Sequence, residues 1–358
     1  MRLADSPDDP RIPGKEAPAP LHEQEVARQL RELVDAGLGE LPAPGSGRTL
    51  ERWQALARVG AQDLSLAKLF EGHTDALAIR RELGAPSAPP GACWGMWAAE
   101  LPDARVVFEP ADDAPAVGKN SQDDPGHGAL LQGRKAWCSG ARSVSHGLLT
   151  VWRSDGSGPF LASVAMQQPG VQVSAEGWPA IGMAASASVD VVFTSARAQL
   201  VGQAGAYLDR PGFWHGGAGI AACWLGGAQT LAHALWQATS LGGPSDKNLL
   251  RQIALGKVDL ALRHTAALLR EAAAWIDAHP TADASALALR VRLSAETSAE
   301  QVLAETGRAL GAAPFCKNAG FARMACDLPV YLRQSHAERD FAALGERAAT
   351  AGPQSWAL

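Results

Sequence analysis

The chain has 358 residues, 47% of them hydrophobic and 19% charged, enough for roughly two or three domains with a sizeable buried core. A net charge of -5 and a pI near 6.0, without any clustered Lys/Arg run, disfavour nucleic acid as a partner and leave room only for an anionic small molecule at a local basic spot. No apolar run reaches the ~18 residues of a membrane span, and residues 1–21 lack the apolar centre of a signal peptide, so the expectation is a cytoplasmic protein.

Residues 1–20, rich in Pro, Asp and Ala, read as a mobile arm. Apolar residues recur at helical spacing over Leu21–Leu38 (Val26, Leu30, Leu33, Val34), near Leu50–Val59, and over Leu64–Leu83. These three helices predict an N-terminal helical unit over residues 21–90, closed by Pro86, Pro89, Pro90 and Gly91.

From residue 91 to 205 the period changes. Arg105–Glu109, Leu148–Trp152, Phe160–Met166, Val171–Ser174 and Val189–Thr194 are short β-type runs separated by Gly, Pro, Ser and Asp turns. Their close spacing, with no helix between them, predicts antiparallel pairing in a barrel or sandwich. Ala111–Gly128 reads as a surface loop, and Gly126–Gly133 as a loop leading into a strand. After Pro211 the pattern is helical to the end: Gly217–Leu241, Lys247–His279, Ala282–Leu310 and Ala319–Arg347, an antiparallel bundle over residues 206–358. Gly216, Gly217, Gly219, Gly226 and Gly227 would each cost the first of these helices roughly 1 kcal/mol unless something packs closely against them.

Several motifs carry less than they promise. The five cysteines, Cys93, Cys138, Cys223, Cys316 and Cys326, form no metal-type pair and are expected to be buried thiols. Around Ser139 the glycines of a nucleophile elbow are replaced by Trp137 and Ala141, and Ser65-Leu-Ala-Lys68 lacks the K-T-G and S-D-N companions of penicillin-recognising enzymes. The richest stretch is Gln132–Thr150, where a basic turn precedes Trp137 and Ser139. Strand alternation would put these two side chains on one side of the sheet, an indole face with a hydroxyl beside it. His215, where the β region gives way to helix, and His336, on the last helix, could move protons if they faced a ligand.

Gly133-Arg-Lys-Ala-Trp-Cys-Ser-Gly-Ala141 resembles the "G-x-K-x-W-I-T/S-N/G-A" strand of the acyl-CoA dehydrogenase superfamily of flavoproteins. Gly182-Met-Ala-Ala-Ser186 with Asp190–Phe193 and Leu200–Gly202 is similar to that family's next segment, and Gly219–Gln229 to the first helix of its bundle. The resemblance spans roughly residues 55–340. It implies a multidomain fold of N-terminal helical domain, central antiparallel β-barrel and C-terminal four-helix bundle, binding FAD between barrel and bundle, as a homodimer or homotetramer.

Carried over by position, Trp137 would cover the flavin ring and Ser139 would bond its N5 edge, with Cys138 between them. Met96, Ala98 and Ala99 fall in a counterpart of the "M-T-E-P" strand, whose backbone meets the pyrimidine ring; Ala99 replaces the threonine. Arg308 and Gly311 stand where "Q-x-x-G-G" cradles the diphosphate and adenine, Arg308 replacing the glutamine. The "R-x-x-F-G" stretch maps to Leu241–Ser245 and is not reproduced. Neither place for the family's catalytic glutamate, Arg333–His336 or His215–Gly217, offers a carboxylate, which leaves His336 and Ser335 as candidates for proton handling.

The resemblance implies an FAD-dependent oxidoreductase passing a hydride from an acyl thioester to flavin N5, with an electron-transfer partner. A second reading on the same fold is a monooxygenase, taking reduced flavin from a reductase and reacting it with oxygen; the absent glutamates, Ser139 and His336 suit it. A third is a flavin-free binding or assembly subunit, motivated by Ala99, Leu241–Ser245 and Arg308.

Overall fold

A computed structural model describes residues 21–111 and 128–357. The expected mobile arm (1–20) and nearly all of the expected surface loop after Ala111 lie outside the described residues.

Three helices come first among the described residues: α1 (Leu21–Asp35), α2 (Thr49–Gln62) and α3 (Leu64–Glu82), close to the periodic stretches. Asp63 ends α2 and caps α3, its side chain accepting the Leu66 N–H at 2.9 Å.

Seven strands follow among the described residues: β1 (Trp94–Trp97), β2 (Val106–Pro110), β3 (Gly128–Cys138), β4 (His146–Arg153), β5 (Phe160–Ala165), β6 (Val171–Val173) and β7 (Val189–Val201). β4, β2, β3, β7 and β5 form a closed ring, because β5 pairs with both β7 and β4. Closure removes the sheet edges there. The pairing is not wholly antiparallel as expected: β1 and β2 lie in succession along one edge of β4, both parallel to it. β3 also begins earlier than the sequence suggested, at Gly128, where Ala111 N–H bonds the Gly128 carbonyl.

After the short helices α4 (Ala206–Asp209) and α5 (Gly212–Gly217) come α6 (Ile220–Ser240), α7 (Asp246–Ala278), α8 (Ser285–Leu310), α9 (Ala313–Lys317), α10 (Ala319–Leu332) and α11 (Glu338–Ala351). Long helices α6, α7 and α8 pack on one another, and α10 packs on α6 and α8. The glycines of α6 are compensated by close approach, as expected, at Gly226. A Cβ there would lie 2.1 Å from the Ala57 carbonyl oxygen, so its absence lets α2 and α6 touch backbone to backbone. The expected last helix, Ala319–Arg347, is instead two: Pro329 removes a hydrogen bond from α10, and the chain turns over Arg333–Ala337 with Ala337 at φ 45°.

The larger hydrophobic core runs from α1–α3 through the barrel into α6–α8 and α10, and a smaller cluster around Ile79, Trp94, Leu148 and Leu161 joins α3 to β1, β4 and β5. No helix among the described residues is long and apolar enough to cross a membrane. Cys93, Cys138 and Cys223 are buried thiols, but Cys316 and Cys326 are exposed, contrary to expectation, because both sit on outer faces of the short helices α9 and α10.

Candidate functional site: the end of strand β3 and the turn that faces it

β3 pairs with β7 in regular register from Gly133 to Lys135, then shifts before Cys138, so Ala136 and Trp137 together oppose a single residue. This is a β-bulge, and it resets the alternation of side chains. Lys135, Ala136 and Cys138 are all buried, while Trp137, at φ 57°, is turned outward and left 49% exposed. A left-handed backbone is strained for so bulky a residue, by roughly 1–3 kcal/mol. The expected reason for Trp137 and Ser139 to share a face therefore does not hold: the strand ends at Cys138, and Ser139 sits in the following turn, its N–H bonded to the Trp137 carbonyl at 3.0 Å.

Ser139 is gripped from two sides. Trp97, the fully buried end of β1, donates its indole N–H to the Ser139 carbonyl at 3.0 Å. That bond joins the Met96–Ala99 segment to the Trp137–Ser139 segment, two stretches that the resemblance assigned to one ring. On the other side the Ser139 hydroxyl meets the Ser188 hydroxyl at 2.8 Å, Ser188 meets Ser186 at 2.9 Å, and Ser186 donates to the Met183 carbonyl at 2.7 Å. Gly140 N–H bonds the Ser186 carbonyl at 2.8 Å.

The turn carrying these serines, a 3-10 helix over Ala184–Ser186, has left-handed residues at both ends, Met183 (φ 58°) and Ala187 (φ 42°). It is locked to α10, where the buried Asp327 carboxylate accepts the Met183 N–H at 2.6 Å. Burial raises the Asp327 carboxyl, and this hydrogen bond opposes the rise. Gly182 lets the turn reach α10, since a Cβ there would lie 2.6 Å from the Cys326 carbonyl oxygen. A cleft of about 310 Å³ opens beside the turn, lined by His22, Ile181, Ala184, Arg323 and Asp327 among others.

The basic turn is no anion site. Arg134 is paired with Asp190 and with Asp103 at 2.8 Å. Lys135 is fully buried, its ammonium donating to Glu100 at 2.7 Å, to the Thr150 hydroxyl at 2.7 Å and to the Thr150 carbonyl at 3.1 Å. Glu100 also accepts from the Thr150 hydroxyl and from Trp152 Nε1 at 3.0 Å. Burial acts to raise the Glu100 carboxyl, but the bonds from Lys135 and Thr150 outweigh it and hold it below the usual carboxylate range. Burial pulls the Lys135 ammonium down against the pull of Glu100. The cluster pins the loop after β1, with Ala98 and Ala99, to β3 and β4.

The remaining candidates are occupied locally. Cys138 is fully buried, its thiol against the Lys135 carbonyl, and burial pushes that thiol far up, while its carbonyl accepts the Ala141 N–H at 3.1 Å. His336 is exposed and Ser335 buried; both turn toward Asp340, whose carboxylate accepts the His336 N–H at 3.1 Å and the Ser335 hydroxyl at 3.5 Å. Arg308 is 77% exposed and leans on Glu305 of its own helix, while Gly311 is the C-cap of α8 at φ 69°. Leu241–Ser245 is spent on helix ends, Leu241 closing α6 and Ser245 capping α7 by accepting the Asn248 N–H. His215 is buried against the Ala282 carbonyl at 3.3 Å, and burial lowers its pKa, so it packs as a neutral ring.

A polar interior among α3, α6 and α10 escaped the sequence reading. Lys68 pairs with Glu71 at 2.8 Å, so Ser65-x-x-Lys68 is not a nucleophile pair, and burial raises the Glu71 carboxyl against the Lys68 charge. Nearby, the Trp224 indole N–H lacks an acceptor, and the buried Tyr331 hydroxyl has only the Cys223 thiol, a weak acceptor, beside it. Orphan donors of this kind are completed by water or by a polar ligand. A Lys three residues before a Glu gives no sequence signal of a polar interior, because one helix face supplies such spacing by chance.

No protein-family model matches the sequence, and no curated protein sequence does either. The architecture is nevertheless the acyl-CoA dehydrogenase-like fold that the resemblance implied. It is similar to KijD3, solved with FMN and a dTDP-linked amino-keto sugar, at TM-score 0.72 and 18% identity over 93% of this chain and 95% of that one. It is similar to methanesulfinate monooxygenase MsuC from Pseudomonas fluorescens at TM-score 0.67 and 19% identity over 92% and 96%. FMN-bound TdsC from Paenibacillus sp. A11-2, a dibenzothiophene monooxygenase, matches at TM-score 0.67 and 18% identity over 90% and 95%.

Proposed function

We propose that this chain is a flavin-dependent oxidoreductase of the monooxygenase type, receiving reduced flavin from a reductase and acting on a small organic molecule. The observation that carries this reading is Trp137, a strained and half-exposed indole held outward beside a fixed serine, a flat face with a polar group at its edge that suits a heteroaromatic ring. Bound flavin would supply the oxygen chemistry. Trp137 covers the ring, Ser139 meets its N5 edge, and the backbone of Ala98 and Ala99, pinned by Lys135 and Glu100, meets the pyrimidine end. The substrate lies toward the interior among α3, α6 and α10, where Trp224 Nε1 and the Tyr331 hydroxyl seek partners.

Two comparisons support the oxygenase over the acyl-CoA dehydrogenase reading: MsuC and TdsC are named monooxygenases, and the places for the dehydrogenase glutamate hold a neutral packed His215 and a turn occupied by Asp340. FMN is favoured over FAD, because Leu241–Ser245 is spent on helix ends, Arg308 stands where a glutamine is expected, and two of the similar structures hold FMN. A homodimer or homotetramer is supported by the apolar stripe Leu249, Leu250, Ile253 and Leu260 on α7, with Trp236 and Leu241 beside it, all at least half exposed.

The test is to supply purified protein with FMN, NADH and a flavin reductase. Oxygen uptake coupled to oxidation of an added sulfur- or nitrogen-containing aromatic supports the proposal. Anaerobic bleaching of bound oxidised flavin by an acyl-CoA contradicts it.

A further inference from the structure

The three-serine chain has a direction. A serine hydroxyl carries one hydrogen and can donate once. Ser186 spends its hydrogen on the Met183 carbonyl, which can only accept. The 2.9 Å contact between Ser186 and Ser188 therefore has Ser188 as donor, and the 2.8 Å contact between Ser188 and Ser139 has Ser139 as donor. The alternative would set two lone pairs against each other in a buried site, since Ser186 and Ser188 are 1% and 4% exposed. Ser139 thus has its hydrogen turned inward, and toward a ligand it shows lone pairs alone.

We propose that Ser188 and Ser186 make Ser139 an obligate acceptor, and that this polarity lets the site discriminate reduced from oxidised flavin. The inference rests on the flavin reading given above. Fully reduced flavin carries a hydrogen on N5 and donates to such an oxygen; oxidised flavin has only a lone pair at N5 and is repelled by it. Ser188 and Ser186 are positioning residues, acting through Ser139. The anchor is rigid: the Met183 carbonyl belongs to a turn whose next amide link, Met183 N–H to Asp327, fastens it to α10.

The experiment measures dissociation constants of oxidised and of dithionite-reduced FMN, the latter anaerobically, for the wild type, Ser188→Ala, Ser186→Ala and Ser188→Thr, with the midpoint potential of bound FMN as a second readout. The wild type is expected to bind reduced FMN more tightly. Ser188→Ala frees the Ser139 hydrogen to turn outward, so the ratio of oxidised to reduced dissociation constants is expected to fall about tenfold, equivalent to a drop of about 30 mV in midpoint potential for two electrons. Ser186→Ala shifts it the same way, and Ser188→Thr, which keeps the hydroxyl, preserves the wild-type ratio. An unchanged ratio in both alanine variants, with FMN still bound, overturns the polarity proposal and leaves the flavin reading standing. Failure of the wild type to bind flavin in either redox state overturns both.

Discussion

The Trp137–Ser139 wall and the Ser335–His336 turn both place polar or aromatic groups near a chain reversal, yet they are held in opposite ways. At the turn, Ser335 and His336 are themselves held locally: Asp340, four residues on from His336, takes the His336 N–H and the Ser335 hydroxyl, while the distant bonds go to their neighbours, from Arg292 to the Gln334 carbonyl and from Arg333 to Glu296. At the wall, the bonds come from far along the chain: Glu100 reaches Lys135 across 35 residues, Trp97 reaches Ser139 across 42 and Ser188 reaches Ser139 across 49. Those bonds fix the residues that flank a left-handed tryptophan, whose carbonyl takes a local bond from the Ser139 N–H. Strain kept in place by long-range contacts marks a site, whereas a closed local cap marks a chain end.

The contrast is broken most severely at Glu100. Glu100→Ala leaves Lys135, wholly buried, without its counter-charge, and is expected to cost about 3–5 kcal/mol in chemical denaturation. A loss below ~1 kcal/mol would mean that the loop after β1 is not pinned as described.

Acid tests the same packed wall from behind. His73, buried on α3, accepts the Trp94 N–H at the start of β1, and burial followed by the Arg52 charge lowers its pKa to about 4. The unfolded value is about 6.5, so between the two it is the unfolded chain that binds the extra proton. Stability from this group is therefore complete above pH ~6.5 and lost as pH falls toward 4, by up to about 3 kcal/mol. Denaturation midpoints across that range should fall in the wild type and lose most of that slope in His73→Asn.

Trp137 sharpens the comparison because it separates binding from stability. Trp137→Ala is expected to weaken FMN binding by about 1–2 kcal/mol, roughly tenfold in Kd. Trp137→Gly should lose the same affinity yet be about 1 kcal/mol more stable than Trp137→Ala, since glycine accepts φ 57° without penalty. Equal stabilities would remove the strain argument.

The smallest effects are expected where the resemblance alone placed the site. His336→Ala and Arg308→Ala, at exposed positions, should change stability by less than about 0.5 kcal/mol and FMN affinity by less than about twofold. A tenfold affinity loss in either would move the site toward the helical end of the molecule.

The helices were legible because their signal is local: Val26, Leu30 and Leu33 repeat at the period of a helix whatever packs against them. The same holds for short strands such as Phe160–Ala165. The bulge was not legible, since it exists only in the register of β3 against β7, and it ends the simple alternation on which placing Trp137 and Ser139 on one side rested. Nor was the break before α11, where propensity favoured one long helix and a side-chain cap from Asp340 prevailed. Of the candidate site, Trp137 and Ser139 could be singled out from their string, but Lys135 looked like part of a surface basic turn. Its burial follows from a glutamate that no spacing rule connects to it.

The central claim is that flavin lies against Trp137. Anaerobic titration of the purified protein with reduced FMN, followed by quenching of tryptophan fluorescence, tests it directly. Saturable binding that weakens about tenfold in Trp137→Ala is expected; equal affinity in the two proteins, or no binding in the wild type, would contradict a flavin site at Trp137.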